Sequence, residues 1–328
     1  MTTMRAAVYE REGSAAEVLI VRDIDIPAPG PGEVLVRVMA SAINPTDVKT
    51  RAGLTPRAIN GFQVPHMDGA GVVEAVGAGV SADRVGERVW LMTAAVDNQW
   101  GSAAQFCVVP ADRARPLPDG ASFELGATLG VPAVTAAYCL LSDGPIAGRP
   151  ILVAGGAGAV GRSAVELGRW AGARVATTVS GPQKAAVAEA AGADLVVNYR
   201  EDGAAERILE WSGEPVARIV ELALGPNLDL DLAVAAPGTV VITYAIDGPD
   251  PVIPVRRCMF AGMTLRFMLL YRVAPAALAA AAEAVSGALA DGALSMPPSR
   301  TFALDDVVAA HEAQEAGPFG RILVDPWA

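Results

Sequence analysis

Cysteine is scarce in this chain. Cys107, Cys139 and Cys258 are its only three in 328 residues, far apart and never paired as CxxC. An odd, scattered set excludes a disulfide framework and predicts buried free thiols. Long apolar runs are also missing: the stretch Pro150–Gly161 is too short and too rich in glycine to span a bilayer. The start, Met1–Arg5 followed by Ala6-Ala7-Val8-Tyr9 and then charge, lacks the apolar core of about 7–15 residues that a secretory signal needs. A cytoplasmic location is therefore expected. Positive charge is in deficit, with a formal net charge of -11, which argues against nucleic acid and anionic membranes as partners. No internal repeat and no low-complexity linker interrupts the chain.

What remains is the composition of a folded globular protein. Just over half the residues are hydrophobic, with 34 Gly and 24 Pro, enough to bury a core. The length suits two domains. The first third favours short strands: Val34–Met39, Gly69–Val76 and Arg88–Met92, divided by Gly/Pro-rich turns such as Ile26–Gly32. After about residue 120 the rhythm changes. Strands at Ile151–Val153, Arg174–Thr178, Leu195–Asn198, Arg218–Leu222 and Thr239–Tyr244 alternate with helices near Ala159–Ala171, Pro182–Ala191, Ala204–Trp211 and Asn227–Ala235. Such alternation predicts βαβ units and a doubly wound parallel sheet. The Ala-rich Pro275–Ala290 reads as a helix. No further βα alternation is expected in Thr264–Ala328, whose last strand, Gly320–Asp325, would return to the first domain.

Within the α/β portion, Gly156-x-Gly158-x-x-Gly161 follows Gly155 and matches GxGxxG. In isolation the pattern describes any tightly packed strand–helix turn. Between an apolar strand and a helix it becomes a dinucleotide site. Absent side chains let backbone approach a pyrophosphate, and N–H groups at the helix N-terminus face its oxygens. An acid at the end of the second strand would bind the ribose 2′-OH of NAD. Val175–Lys184 contains none. Its hydroxyls and Lys184 suit a 2′-phosphate instead, so NADPH is the expected cofactor; the alternative for Lys184 is a solvated residue in a helix's first turn.

Further segments carry a resemblance. Met4–Tyr9, Gly32-Glu33-Val34, Ile43-Asn44-Pro45-Thr46-Asp47, Met67–Val73, the glycine turn, Gly192-Ala193-Asp194, Asn198-Tyr199-Arg200 and Gly320–Leu323 stand in this order. Through them the chain resembles, nearly end to end, the zinc-free quinone oxidoreductase (zeta-crystallin-like) branch of the medium-chain dehydrogenase/reductases. The resemblance implies an α/β protein: a GroES-like catalytic domain from residues 1–120 and 262–328, with a Rossmann NADPH-binding domain, 121–261, inserted. It implies a cleft between them. It places Gly155, Gly156, Gly158, Ala159, Val160 and Gly161 at the pyrophosphate, and Ser180, Lys184 and Tyr199 at the 2′-phosphate. Thr135, Tyr244 and Ala245 fall around the nicotinamide, and Leu269 and Leu270 on a cofactor-facing loop.

The same resemblance bears on metal. Zinc-dependent relatives place a Cys where this chain has Asn44 and a metal-binding His where it has Met67. Neither is a plausible zinc ligand, so no metal is expected. His66, beside that position where relatives often carry Gly, is expected in a cleft or at the surface, and His311 exposed. Without a Lewis acid, an acceptor that spreads incoming negative charge is favoured. A quinone-type acceptor is the first expectation and a conjugated enone or enoyl compound the second. An NADPH-binding structural or regulatory protein without turnover is the third. Asn44 has two mutually compatible readings, a hydrogen-bond donor to the acceptor's oxygen and an Asx cap on the turn at Pro45. Lys49 stands where some relatives have a proton-donating Tyr; it is either solvated or attracts an anionic substrate. The loops Arg51–Pro65 and Met92–Gly101 are expected to set acceptor choice. A homodimer is expected, with Pro251–Val255 at the Rossmann edge.

Overall fold

A computed structural model describes residues 2–246 and 248–328. The N-terminal strands are β1 (Thr3–Val8), β2 (Ile20–Asp25), β3 (Glu33–Ile43), β4 (Asp68–Val76), β5 (Arg88–Leu91), β6 (Phe106–Pro110) and β7 (Ala114–Pro116); among them lie α1 (Ala15–Val18), α2 (Pro45–Arg51) and α3 (Phe123–Ala127). Then α4 (Gly130–Leu141) leads into β8 (Pro150–Val153), α5 (Ala159–Trp170), β9 (Arg174–Val179), α6 (Pro182–Ala190), β10 (Leu195–Asn198), α7 (Ala204–Ser212), β11 (Arg218–Glu221), α8 (Leu224–Val234), β12 (Val240–Thr243), α9 (Val255–Ala261), β13 (Thr264–Phe267) and α10 (Pro275–Ala290). The chain closes with β14 (Ser299–Ala303), α11 (Val307–Glu315) and β15 (Arg321–Asp325).

These elements form two compact units, residues 1–131 with 296–328, and residues 132–295. In the first, β3 is the long central strand. It pairs antiparallel with β4, β6 and β15. Val34, Val36 and Val38 alternate onto one buried face with Val73, Val89 and Leu91, the period-two pattern that fixes register. Two registers matter for the site. Ala42 pairs with Asp68 and Ile43 with Ile322, so Asn44, Asp68 and Arg321 start as neighbours.

The second unit is a six-stranded parallel sheet in the order β10-β9-β8-β11-β12-β13. The chain builds outward from β8 to β10, then returns to the other side of β8. That reversal makes the carboxyl ends of β8 and β11 the topological switch point, where open α/β sheets bind ligands. Leu152, Ala176, Val197, Ile219 and Val241, one from each of five strands, are buried in its core.

Three features differ from expectation. Residues 251–254 form no strand, and Val255 opens α9. Pro251 and Pro254 have fixed φ and no N–H, so they cannot sustain a ladder. The sheet's edge is β13 instead, registered Val240↔Thr264 onto β12. Residues 264–295 therefore pack with the second unit, α10 lying against α5, and the chain re-enters the first unit near 296 rather than 262. The tail also continues to alternate, as β14, α11 and β15. Its last strand does return to the first unit, and no helix among the described residues is long and apolar enough to cross a membrane.

Candidate active site

In the second unit the turn after β8 is held from beneath by β9. The Gly155 N–H donates to Thr178 Oγ1 at 3.2 Å and the Gly156 N–H to the Thr178 carbonyl at 3.2 Å. Gly155 has φ 70°, the left-handed region that favours glycine. A Cβ on Gly161 would lie 2.2 Å from the Gly155 carbonyl oxygen, so helix and turn touch through bare backbone. Gly158 caps α5, and the first bond back to it comes from the Arg162 N–H at 2.8 Å. The N–H groups of Ala159, Val160 and Gly161 have no carbonyl one turn behind them. With the helix dipole they form an anion cradle that fits a pyrophosphate.

The other second-unit candidates gather at the same edge of the sheet, because its strands are parallel. Ser180 follows β9, Lys184 lies exposed in the first turn of α6, and Tyr199 follows β10. The Arg200 guanidinium stands 5.8 Å from the Tyr199 ring centroid, a second cation that sequence reasoning passed over. Tyr244 and Ala245 follow β12. Burial pushes the Tyr244 hydroxyl far above its ordinary pKa, and the Ala245 carbonyl accepts from Thr243 Oγ1 at 3.1 Å. After β13 come Leu269, exposed, and Leu270, buried. Thr135 is buried on α4, whose C-terminal carbonyls at Cys139 and Leu140 accept from Arg218 at the start of β11. That helix therefore runs against the strands, and Thr135 lies toward their carboxyl ends.

In the first unit, Asn44 sits in a buried polar cluster. Its Nδ2 donates to Asp68 Oδ2 at 2.8 Å, and its Oδ1 accepts from Arg321 Nη1 at 3.0 Å. Arg321 Nη2 also lies 3.4 Å from Asp68 Oδ2, and the Val131 N–H donates to Asp68 Oδ1 at 2.7 Å. Asn44 is also the N-cap of α2, in a capping box with Asp47, so its place in the cluster and its place on the turn at Pro45 hold together. The box at the start of α2 is closed from the other side: Asp47 Oδ2 accepts from the Asn44 N–H at 2.7 Å, and Asp47 Oδ1 from the Met67 N–H at 3.1 Å. Burial pushes the Asp47 carboxyl up to about 7, against the Asn44 N–H that favours the ion. It pushes Asp68 up to about 6, against Arg321 and Asn44. Sequence reasoning misses Asp68, Asp47 and Arg321; for Asp68 and Arg321 the available signal is a charged residue at the head of an apolar strand.

Both histidines depart from expectation. His66 and His311 are each 0% exposed. His66 has φ 78°, in the left-handed region that favours glycine. The ring of His311 points inward because α11 packs that face against β15, β3 and α2. Cys107 and Cys139 are buried free thiols, whereas Cys258 is half-buried. Lys49 is exposed. The loops Arg51–Pro65 and Met92–Gly101 meet within the first unit: Arg57, Asn60 and Gln63 face Asp97, Asn98 and Gln99 across a pocket of about 250 Å³. Among the described residues, no group of three His, Cys, Asp or Glu side chains is placed to hold a metal ion.

Comparison with known proteins identifies the family. Residues 30–119 match the family described as alcohol dehydrogenase GroES-like domain, and residues 159–287 the family described as zinc-binding dehydrogenase. The chain is 30% identical over 306 residues to the quinone oxidoreductase of Sus scrofa, covering 92% of each chain. A mycobacterial quinone oxidoreductase structure superimposes with TM-score 0.86 at 30% identity, covering 98% of this chain and 100% of that one. A mycobacterial relative solved in complex with NADPH matches with TM-score 0.83 at 30% identity over the same shares.

Proposed function

Because the chain belongs to the quinone oxidoreductase branch of the medium-chain dehydrogenase/reductase superfamily, we propose that this oxidoreductase is a zinc-independent NADPH:quinone reductase. The observation that carries the proposal is the glycine turn at the switch point, with Ser180, Lys184, Tyr199 and Arg200 beside it and no acid in residues 175–184. Lys184 and Arg200 would pair with a 2′-phosphate, which a carboxylate there would repel. The nicotinamide, when bound, supplies hydride to the acceptor. Asn44 keeps one Nδ2 hydrogen beyond the one given to Asp68, and donates it to the acceptor's oxygen as negative charge develops there. Arg321 and Asp68 hold that amide so that little reorganisation accompanies the reaction. The pocket between the two loops accommodates the acceptor's substituents.

Zinc independence rests on the same cluster. Asn44 and Met67 stand where metal-dependent relatives have ligands, and the Arg321 guanidinium lies 3.0 Å from Asn44 Oδ1. A fixed cation at that distance repels a divalent ion. The protein is further proposed to be a homodimer joined at β13. That strand is paired on one side only, with Phe267, Met259 and Phe260 exposed at 72%, 75% and 83%. An open edge with an apolar flank is a template for isologous pairing. A monomer mass in light scattering at micromolar concentration would contradict it.

NADPH oxidation should be followed with a 1,4-quinone and, separately, with an unsaturated ketone. Turnover with the quinone supports the proposal. Turnover with the enone alone replaces it with enone reduction, and tight NADPH binding without turnover points to a regulatory role. Stoichiometric zinc in the active protein would defeat the metal-free mechanism.

A further inference from the structure

The chain has only two histidines, distant in sequence, and the fold brings them nose to nose. His66 Nε2 and His311 Nε2 are 2.9 Å apart. The ring centroids lie 5.1 Å apart with planes inclined by 27°. That separation exceeds the nitrogen–nitrogen distance by about one ring width, so the imidazoles meet end to end in near-common plane, a hydrogen bond rather than a face-to-face stack. On its other side, His66 Nδ1 is 2.8 Å from Ser41 Oγ, Ser41 Oγ is 2.8 Å from Ser102 Oγ, and Ser102 Oγ is 2.5 Å from the Asp68 carbonyl oxygen.

A carbonyl can only accept, and this fixes every proton in the chain. Ser102 must donate to Asp68. Its single hydrogen is then committed, so Ser41 donates to Ser102, and His66 Nδ1–H donates to Ser41. A neutral His66 leaves Nε2 bare, so His311 Nε2–H donates to it. The relay ends at His311 Nδ1, a buried nitrogen with no hydrogen-bond partner among the described residues. An added proton has that nitrogen as its only place of entry, where burial opposes it first and the His66 ring and the Arg51 cation add to the penalty.

We propose that His66 and His311 are positioning residues: a neutral relay of fixed polarity from α11 to the Asp68 backbone, holding the Asn44–Asp68–Arg321 cluster in register. Asp68 is the pivot because its carbonyl ends the relay while its side chain anchors Asn44 and Arg321. The link to turnover rests on the oxidoreductase reading above; the proton arrangement does not.

Two experiments test the proposal separately. Nitrogen-15 spectra of the histidine-labelled protein contain two imidazoles, expected neutral and in opposite tautomers, Nδ1–H for His66 and Nε2–H for His311, unchanged from about pH 8 to 5.5. The reverse tautomers, or a ring titrating near its ordinary pKa, would overturn the relay whatever the protein catalyses. The second experiment uses His66→Gly, which tolerates the positive φ and leaves a ring-sized space. Its kcat should fall about tenfold, through displacement of Asn44, with KM for NADPH changed less than about twofold. Added imidazole, which can donate to Ser41 and accept from His311, should restore most of the rate. 1-Methylimidazole, which has no N–H, should not. Equal rescue by both, or no loss on removing the ring, would reduce the pair to packing.

Discussion

Replacing Gly161 by alanine should damage the fold and the cofactor site together, whereas Gly158→Ala should damage only the site. A Cβ on Gly161 would stand 2.2 Å from the Gly155 oxygen, 2.8 Å from its carbon and 3.0 Å from the Gly156 Cα. All three are backbone atoms, so no side chain can swing aside. Relief requires α5 and the turn to part by about 1 Å, an overpacking penalty of about 1–3 kcal/mol. In a unit of this size that lowers the melting temperature by roughly 2–4 °C per kcal/mol. The shift also withdraws the first N–H groups of α5 from the pyrophosphate. Losing one charge-assisted hydrogen bond, worth about 1.5–3 kcal/mol, weakens NADPH binding by about 10- to 100-fold. A Cβ on Gly158 meets only the Gly155 oxygen, at 3.3 Å, and its φ of -76° suits any residue. Alanine there should cost at most about 1 kcal/mol as a poorer helix cap, yet occupy the space where backbone approaches phosphate. Differential scanning fluorimetry and NADPH fluorescence titration separate the two outcomes. A Gly161→Ala protein that melts and binds like wild type would refute the close contact. Wild-type affinity in Gly158→Ala would remove the pyrophosphate from this turn.

Three further outcomes follow from the same geometry. Ser180→Asp combined with Lys184→Leu should move the ratio of kcat/KM for NADPH over NADH by about 100-fold toward NADH, since one ionic hydrogen bond is lost and a repulsion gained; an unchanged ratio would assign the 2′-phosphate elsewhere. Arg321→Met should lower the stability measured in urea by about 3–5 kcal/mol, because Asp68 is left buried without its cation; a loss under about 1 kcal/mol would show that the pair is unimportant to the fold. The third concerns pH. Burial holds His66 down to about 3, and His311 well below its ordinary value. The unfolded chain therefore binds more protons below pH 6.5, and each ring loses the protein about 2 kcal/mol between pH 7.5 and 5. Asp47 and Asp68 act oppositely, their raised folded pKa values of about 7 and 6 relieving a burial penalty as pH falls. Relative to wild type, His311→Leu should therefore gain about 2 kcal/mol of stability on going from pH 7.5 to pH 5; parallel stability–pH curves would mean that His311 is not buried neutral.

Elements that read clearly in the sequence are those whose residues alone determine them. The βαβ alternation from Ile151 to Tyr244 is visible because each strand is a short β-branched run and each helix is bounded by Gly or Pro. The glycine turn is visible because its residues recur at a fixed spacing, and at Gly161 backbone contact excludes any side chain. By contrast, β13 reads Thr264-Leu265-Arg266-Phe267, and nothing in those four residues says that they complete a parallel sheet. The ladder from β12 makes them a strand, while the two prolines deny it to the more apolar Val252-Ile253. That exchange moved both the expected sheet edge and the expected domain boundary.

The first-unit cluster was less legible for a related reason. Asn44 stood out because the residues around it form a motif, but its partners depend on register. Asp68 lies opposite Ala42 and Arg321 opposite Asn44 only once β3 has paired on both sides. A sequence shows that Asp68 and Arg321 head apolar strands; it does not show that Asp68 and the Asn44 amide will share one guanidinium. His311 was misread on the same ground, since α11 carries a mixed polar and apolar pattern, and the histidine could have belonged to either face. The deciding contact is His66, held with φ 78° by hydrogen bonds from Ser102 and Ala103 to its own carbonyl and that of Pro65. An imidazole at such a position has a strained backbone and a buried ring. Compensation must come from the ring's two nitrogens, and the relay supplies it: Ser41 takes one and His311 the other. A histidine at residue 66 therefore makes sense only together with His311, a coupling across the fold that no local pattern in the sequence expresses.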